Sequence, residues 1–220
     1  MLKVVVFDSG YGGELFADHL EARLPVLDVI RVIDWRNAEK IQSSSKEARK
    51  LATLALAPYI GKVDLIIFAN HLLSITSLKY FKRKYKNQQF LGLMLKQPDS
   101  FIKRDVLILA TKSITHTLGF QSFLIRIGRK TRTIALDSWP AKIDDGELTP
   151  DEIYNTLAPY CVKKTDAKEI VLASTQFVDI KNDLKNIFGK NLKIYDGFND
   201  AIISTVKLLK IRGGSPKKKR

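Results

Sequence analysis

Short runs dominated by apolar residues, rich in Val, Ile and Leu, recur at residues 4–7, 29–33, 65–69, 90–95, 106–110, 133–136, 170–173 and 192–195. Runs this short and this apolar suit strands buried on both faces, as in a parallel sheet. Between them the apolar positions change to a helical period, predicting helices near 12–24, 45–60, 72–87, 113–124, 149–163, 178–188 and 198–210. Two of these carry explicit start signals. Ser44 and Glu47 make a capping-box pair, and Thr149-Pro150-Asp151-Glu152 sets a proline at the first helical position with acids in the first turn. Strand and helix alternating this regularly predict a doubly wound α/β fold.

Two segments interrupt the pattern. Lys96-Gln97-Pro98-Asp99-Ser100 follows the fourth strand, and a fresh strand starts near Val106. Residues 137–148, with Trp139-Pro140 and Asp144-Asp145-Gly146, read as an irregular loop. A chain of 220 residues has room for one α/β domain or for two small ones of like architecture. In such folds ligands bind beyond the carboxyl ends of the strands, so the chemistry is to be sought there.

Composition narrows the class. Hydrophobic residues make up 45% and charged residues 27%, ordinary values for a globular protein with a buried core. No run reaches the roughly 18 apolar residues of a membrane span, so no membrane partner is expected. The opening residues read as a first strand rather than a signal peptide. The single cysteine, Cys161, excludes an intramolecular disulfide and any thiolate cage, which fits a reducing, cytoplasmic setting. His19, His71 and His116 lack ligand spacing, so no metal is expected.

The formal charge of +14 is uneven. Residues 213–220, Gly-Gly-Ser-Pro followed by Lys217-Lys218-Lys219-Arg220, resemble a flexible basic tail with an appended nuclear-localisation tag. Without those four cations the chain still has 33 basic against 23 acidic residues, or +10. Nucleic acid is therefore an alternative partner, though a lysine-rich composition alone gives the same number. Lys79-Tyr80-Phe81-Lys82-Arg83-Lys84-Tyr85-Lys86 interleaves cations with aromatics. The preferred reading is a helix with rings toward the sheet and lysines in solvent. Arg126, Arg129, Lys130 and Arg132 are read the same way.

The most specific segment is Phe7-Asp8-Ser9-Gly10-Tyr11-Gly12-Gly13, a glycine-rich turn from the first strand into the first helix. Such a turn brings backbone N–H groups near an anion at a helix N-terminus. Neither the P-loop nor the dinucleotide-binding pattern can be read in it. Asp8-Ser9-Gly10-x-Gly12-Gly13 resembles the opening of glutamate racemase. Phe68-Ala69-Asn70-His71-Leu72 falls where that family has Ala-Cys-Asn-Thr-Ala. Leu109-Ala110-Thr111, with Phe120-Gln121 after it, resembles the family's Gly-Thr strand end and following helix. Leu172-Ala173-Ser174-Thr175-Gln176-Phe177 falls where it has Leu-Gly-Cys-Thr-His-Tyr, and Tyr195-Asp196-Gly197 resembles its last strand end.

The resemblance runs to about Ile211 and implies two pseudo-symmetric α/β lobes, each a mostly parallel sheet flanked by helices, with a ligand cleft between them. The first would hold residues 1–95 plus 198–212 and the second residues 96–197. It implies a protein of the aspartate/glutamate racemase superfamily, whose activity interconverts L- and D-glutamate with two cysteine thiols as bases and no cofactor. Here those positions read Ala69 and Ser174, the histidine assisting the second thiol is Gln176, and a family threonine is Ile114. The family's substrate loop falls on Lys40-Ile41-Gln42. Neither a methyl group nor an unassisted hydroxyl can take an α-proton.

The expectation is a racemase-like protein without racemase activity. It keeps a pocket for a small carboxylate or amino acid built from Ser9, Gly10, Gly12, Gly13, Asn70, Thr175 and Gln176. Asp8 and His71, as a carboxylate-oriented base, would carry any different isomerase or decarboxylase chemistry. A protonated His71 would also offset the charge of Asp8 toward an anion. A basic module that binds nucleic acid or protein is the third alternative, and a homodimer is left open. Cys161 reads as a packing residue.

Overall fold

The computed structural model describes residues 1–93, 106–127, 131–161 and 169–211. The expected break at residues 96–100, the cations Arg129 and Lys130, and the tail at residues 213–220 lie outside them. The described chain forms two compact units.

The first unit is built on strands β1 (Leu2–Asp8), β2 (Leu27–Ile33), β3 (Leu65–Phe68) and β4 (Phe90–Gly92), all parallel, in the order β2-β1-β3-β4. Its helices are α1 (Tyr11–Arg23), α2 (Ala38–Ser43), α3 (Ser45–Leu56), α4 (His71–Lys84) and, from the end of the chain, α10 (Phe198–Leu208). β1 and β3 are central, and their apolar stretches Val4–Phe7 and Leu65–Phe68 are buried throughout, so both faces are covered, as the apolar runs required. Helix α3 sends Ala48, Ala52 and Leu56, one per turn, into a core shared with Phe7, Phe68, Phe81 and Phe90. Full burial of each such ring is worth about 2–3 kcal/mol. Helix α10 closes the unit through Phe198, which packs edge-on against Phe16 at 5.1 Å and His19 at 5.4 Å.

The second unit repeats the plan. Strands β5 (Val106–Ala110), β6 (Thr131–Ala135), β7 (Glu169–Leu172) and β8 (Lys193–Tyr195) are parallel in the order β6-β5-β7-β8. They are flanked by α5 (Lys112–Thr115), α6 (Leu118–Ile127), α7 (Trp139–Asp144), α8 (Pro150–Cys161) and α9 (Lys181–Phe188). The parallel α/β character is what the alternation of apolar runs predicts, and two four-stranded sheets of one topology, each flanked by helices, are what the resemblance implies. No described helix is long and apolar enough to cross a membrane.

The differences from expectation have local causes. The helix expected over 113–124 is two helices, because Thr117 ends one and starts the other. Its hydroxyl donates to the Ile114 carbonyl at 2.8 Å and accepts from the Phe120 N–H at 3.1 Å. Residues 137–148 are not an irregular loop throughout. Trp139 and Ile143, four apart, are both buried, so helix α7 forms despite Pro140, which sits in its first turn where no N–H is needed. Residues 40–42 lie in the unforeseen helix α2, and Ile41 is fully buried in the first unit's core instead of lining an open loop. Helix α3 stops at Leu56, four residues short of expectation, because Pro58 has no N–H with which to continue the helical ladder past Ala57. The Ser44 cap holds, accepting from the Glu47 N–H at 3.1 Å.

Candidate functional site

In each unit the strand order reverses at one place, and the singled-out residues gather there. β1 has β2 on one side and β3 on the other, so the chain leaves the end of β1 in one direction and returns in the opposite one. The crevice past that switch point is where open α/β sheets bind ligands. Asp8 ends β1, Ala69 and Asn70 follow β3, and the Ala69 N–H reaches the Phe7 carbonyl at 2.9 Å, holding the two ends together. In the second unit Thr111 follows β5 and Ala173–Gln176 follow β7, joined by the equivalent bond from the Ala173 N–H to the Leu109 carbonyl at 2.8 Å.

Asp8 is buried at 1% exposure, and its Oδ1 accepts from the Ser9 N–H at 2.6 Å and from Asn70 Nδ2 at 2.8 Å. The other end of the Asn70 amide caps α4, with Oδ1 accepting from the Leu73 N–H at 3.0 Å. Nδ2 also lies 3.5 Å from the Ser9 hydroxyl. One asparagine thus ties the Asp8 carboxylate, Ser9 and the start of α4 into a single network. The first turn of α1 closes over the same carboxylate. A Cβ on Gly13 would stand 2.4 Å from Asp8 Cβ, 2.8 Å from Ile33 Cδ1 and 3.2 Å from Asp8 Oδ2. The bare glycine therefore has an intramolecular reason: it makes room for Asp8. Gly10, the N-cap residue, is extended, with φ −165°.

The expected pairing of Asp8 with His71 is not made. His71 is the first residue of α4 and is 2% exposed, yet neither ring nitrogen has a hydrogen-bond partner among the described residues. Asn70 takes the carboxylate instead, because the N-cap position faces the β1 end while helical geometry begins one residue later. Burial pushes the His71 imidazole down to about 4, so it is neutral near pH 7. It is therefore not the cation that was expected to offset Asp8.

The second unit presents a different group. Ser174 donates its hydroxyl to Gln176 Oε1 at 2.8 Å, and Thr175 Oγ1 lies 3.4 Å from the same oxygen. All three side chains are buried. An amide oxygen accepts a hydrogen bond but takes no proton at neutral pH, so this pair does not generate an alkoxide. Phe177 behind it packs edge-on against Trp139 at 6.1 Å, fixing the turn Gln176–Val178 on the core. Across the switch point, the Thr111 and Ser113 hydroxyls are 2.9 Å apart. Ile114, 4% exposed, is a core residue. A further pair was not anticipated: Lys181, at the start of α9, bonds Asp196 just past β8. Only the position of Asp196 at a strand end hinted at it. Cys161 ends α8, away from the strand ends, and packs against the second unit's core.

No protein-family model matches the chain. Sequence comparison does find relatives, among them the glutamate racemase of Clostridium botulinum. It is 26% identical over 201 residues, 87% of this chain and 77% of the relative. Among solved structures, Escherichia coli glutamate racemase in complex with L-glutamate and the activator UDP-MurNAc-Ala has the same fold. Its TM-score is 0.81 at 20% identity, over 96% of this chain and 83% of that one. Picrophilus torridus aspartate racemase follows with a TM-score of 0.63 at 14% identity, over 94% of this chain and 92% of its own. Along most of its length the chain is thus similar in sequence to glutamate racemases, and it shares the fold of solved glutamate, aspartate and allantoin racemases.

Proposed function

We propose that this racemase-like protein binds a small carboxylate at the strand ends and does not racemise it. The observation that carries the reading is compositional: the chain has one cysteine, Cys161, which lies at the end of α8. Racemisation by two thiols requires a base on each face of the α-carbon, one to remove the proton and one to return it. At the positions that resemble the family's cysteines stand the methyl group of Ala69 and the hydroxyl of Ser174, committed to Gln176.

Carboxylate binding rests on different residues. In the first unit Ser9 and Asn70 keep the polar chemistry of the family pattern, and the start of α1 offers N–H groups that a helix leaves without internal partners. His71 adds one donor and one acceptor, since its neutral ring has both and the described residues use neither. That observation also favours a second reading, in which His71 serves superfamily chemistry other than racemisation, acting without Asp8 as its orienting partner.

The test is α-proton exchange of L- and D-glutamate in deuterated water, followed by proton NMR, with calorimetric titration of glutamate, aspartate and malate alongside. The expected result is exchange no faster than in buffer, together with binding at a Kd of roughly 1 mM. Exchange well above buffer that Ser174→Ala abolishes would overturn the loss of racemase chemistry. No heat with any of the three acids up to 10 Kd of that estimate, about 10 mM, would overturn carboxylate binding.

A further inference from the structure

Between Asp64 and Asp99 the sequence contains no acidic residue and six basic ones. Five of them, Lys79, Lys82, Arg83, Lys84 and Lys86, stand exposed on the last turns of α4 and the two residues after it. Within the helix Lys79, Lys82 and Arg83 share one face, since positions three and four apart are neighbours, and Lys84 and Lys86 complete the row at the helix end and just past it. At 1.5 Å per residue the helical part of the row, from Lys79 to Lys84, rises about 7.5 Å.

The aromatics beside the row are already engaged. The Arg49 guanidinium lies over the Tyr80 ring at 5.5 Å, and Lys84 Nζ lies 5.7 Å from Tyr80 and 5.1 Å from Tyr85. Tyr85 also stacks on Phe81 at 6.0 Å. Arg49 reaches across from α3 to bond the Thr76 carbonyl at 2.7 Å and the Ser77 hydroxyl at 3.3 Å, which fixes α4 against α3. The surface is thus a rigid row of cations without ring faces turned to a ligand.

We infer that this face of α4 docks on the phosphate backbone of double-stranded nucleic acid, without reading sequence. Three observations select that partner. Single-stranded nucleic acid is held largely by stacking on aromatic faces, and here those faces are covered. A membrane-surface helix inserts large apolar side chains beside its cations, and none of the exposed large hydrophobics belongs to α4. Protein interfaces are depleted in lysine, which supplies four of these five cations. A duplex presents one phosphate charge per ~1.7 Å of axis, so a row whose helical part alone is about 7.5 Å long spans about as many phosphates as it has cations.

The experiment is fluorescence anisotropy of a labelled duplex with the full-length chain at 50–200 mM salt. The background carries Lys217→Gln, Lys218→Gln, Lys219→Gln and Arg220→Gln, so that the terminal cations do not contribute. Five phosphate contacts predict a slope of log affinity against log salt of about −4.5, a loss of about 500-fold over that range. Adding Lys82→Gln, Arg83→Gln and Lys86→Gln should bring the slope to about −1.8. All three positions are exposed, so the melting temperature should not change, and circular dichroism checks it. The inference is overturned by duplex binding absent from the tail-neutralised background, by a slope that the helix substitutions leave unchanged, or by capture on phosphatidylglycerol vesicles without duplex binding.

Discussion

Replacing Gly13 with alanine sets two physical effects of opposite sign against each other. Gly13 is the third residue of α1, and glycine inside a helix is about 0.8–1.0 kcal/mol worse than alanine. Helix propensity alone therefore predicts a more stable protein. The packing predicts the reverse. The new methyl group would stand 2.4 Å from Asp8 Cβ and 2.8 Å from Ile33 Cδ1. A Cβ is fixed to its backbone, so the first contact is relieved only by moving the end of β1 away from α1. Overpacking of this kind costs about 1–3 kcal/mol, and subtracting the propensity gain leaves a net loss of up to about 2 kcal/mol. For a chain of this length each kcal/mol is worth about 2–4 °C, so Gly13→Ala should melt below wild type by up to about 8 °C. The displacement acts on the residue that Asn70 and the Ser9 N–H hold, so carboxylate binding should weaken as well. Thermal melting by circular dichroism decides the first point and calorimetry the second. A variant that melts at or above the wild-type temperature would refute the steric argument and leave the glycine as a turn residue only.

Two further outcomes follow from the same network. His71, neutral when folded with its pKa near 4 and near 6.5 when unfolded, leaves the unfolded chain holding the extra proton between those values. Stability should therefore be full above about pH 6.5 and fall by up to about 3 kcal/mol as pH drops toward 4; urea melts of His71→Leu should lose most of that slope, and an unchanged slope would assign it elsewhere. Asn70→Ala removes both the α4 cap and a donor to a buried carboxylate, and urea denaturation should register a loss of roughly 2–3 kcal/mol, whereas a loss under 0.5 kcal/mol would show that Asp8 does not need the amide.

The strands were legible because burial on both faces leaves a mark in single residues: 65–68 and 106–110 have no polar position to blur. Helix ends were legible where the signal is chemical, as at Ser44. They were not where a turn residue acts through its side chain, as Thr117 does in splitting α5 from α6. Trp139 and Ile143 carried the helical spacing of α7, but two buried positions within six residues are weak against a proline and an Asp-Gly pair. At the site, the sequence brought Asp8, Ser9 and Asn70 to neighbouring strand ends. It could not decide whether Asn70 or His71 meets the carboxylate. That choice depends on where helical geometry begins, and one residue of difference turns a side chain by about 100°.

The bonding at the strand ends constrains how a ligand could be held. Asp8 is bonded to Asn70 and the Ser9 N–H, Asn70 spends its other end on the Leu73 N–H, and Ser174 donates to Gln176. A ligand that takes any of these groups replaces an existing bond, so the exchange nets little. The buried side-chain nitrogens that have no partner among the described residues both belong to His71. A new bond there is gained without breaking another, and it relieves a polar group whose burial costs about 1–3 kcal/mol when left unmade. Under the carboxylate-binding reading, affinity at the first unit's strand ends should therefore depend more on the His71 ring than on Ser9. That hydroxyl would set orientation at little net gain, while the imidazole would supply most of the favourable enthalpy.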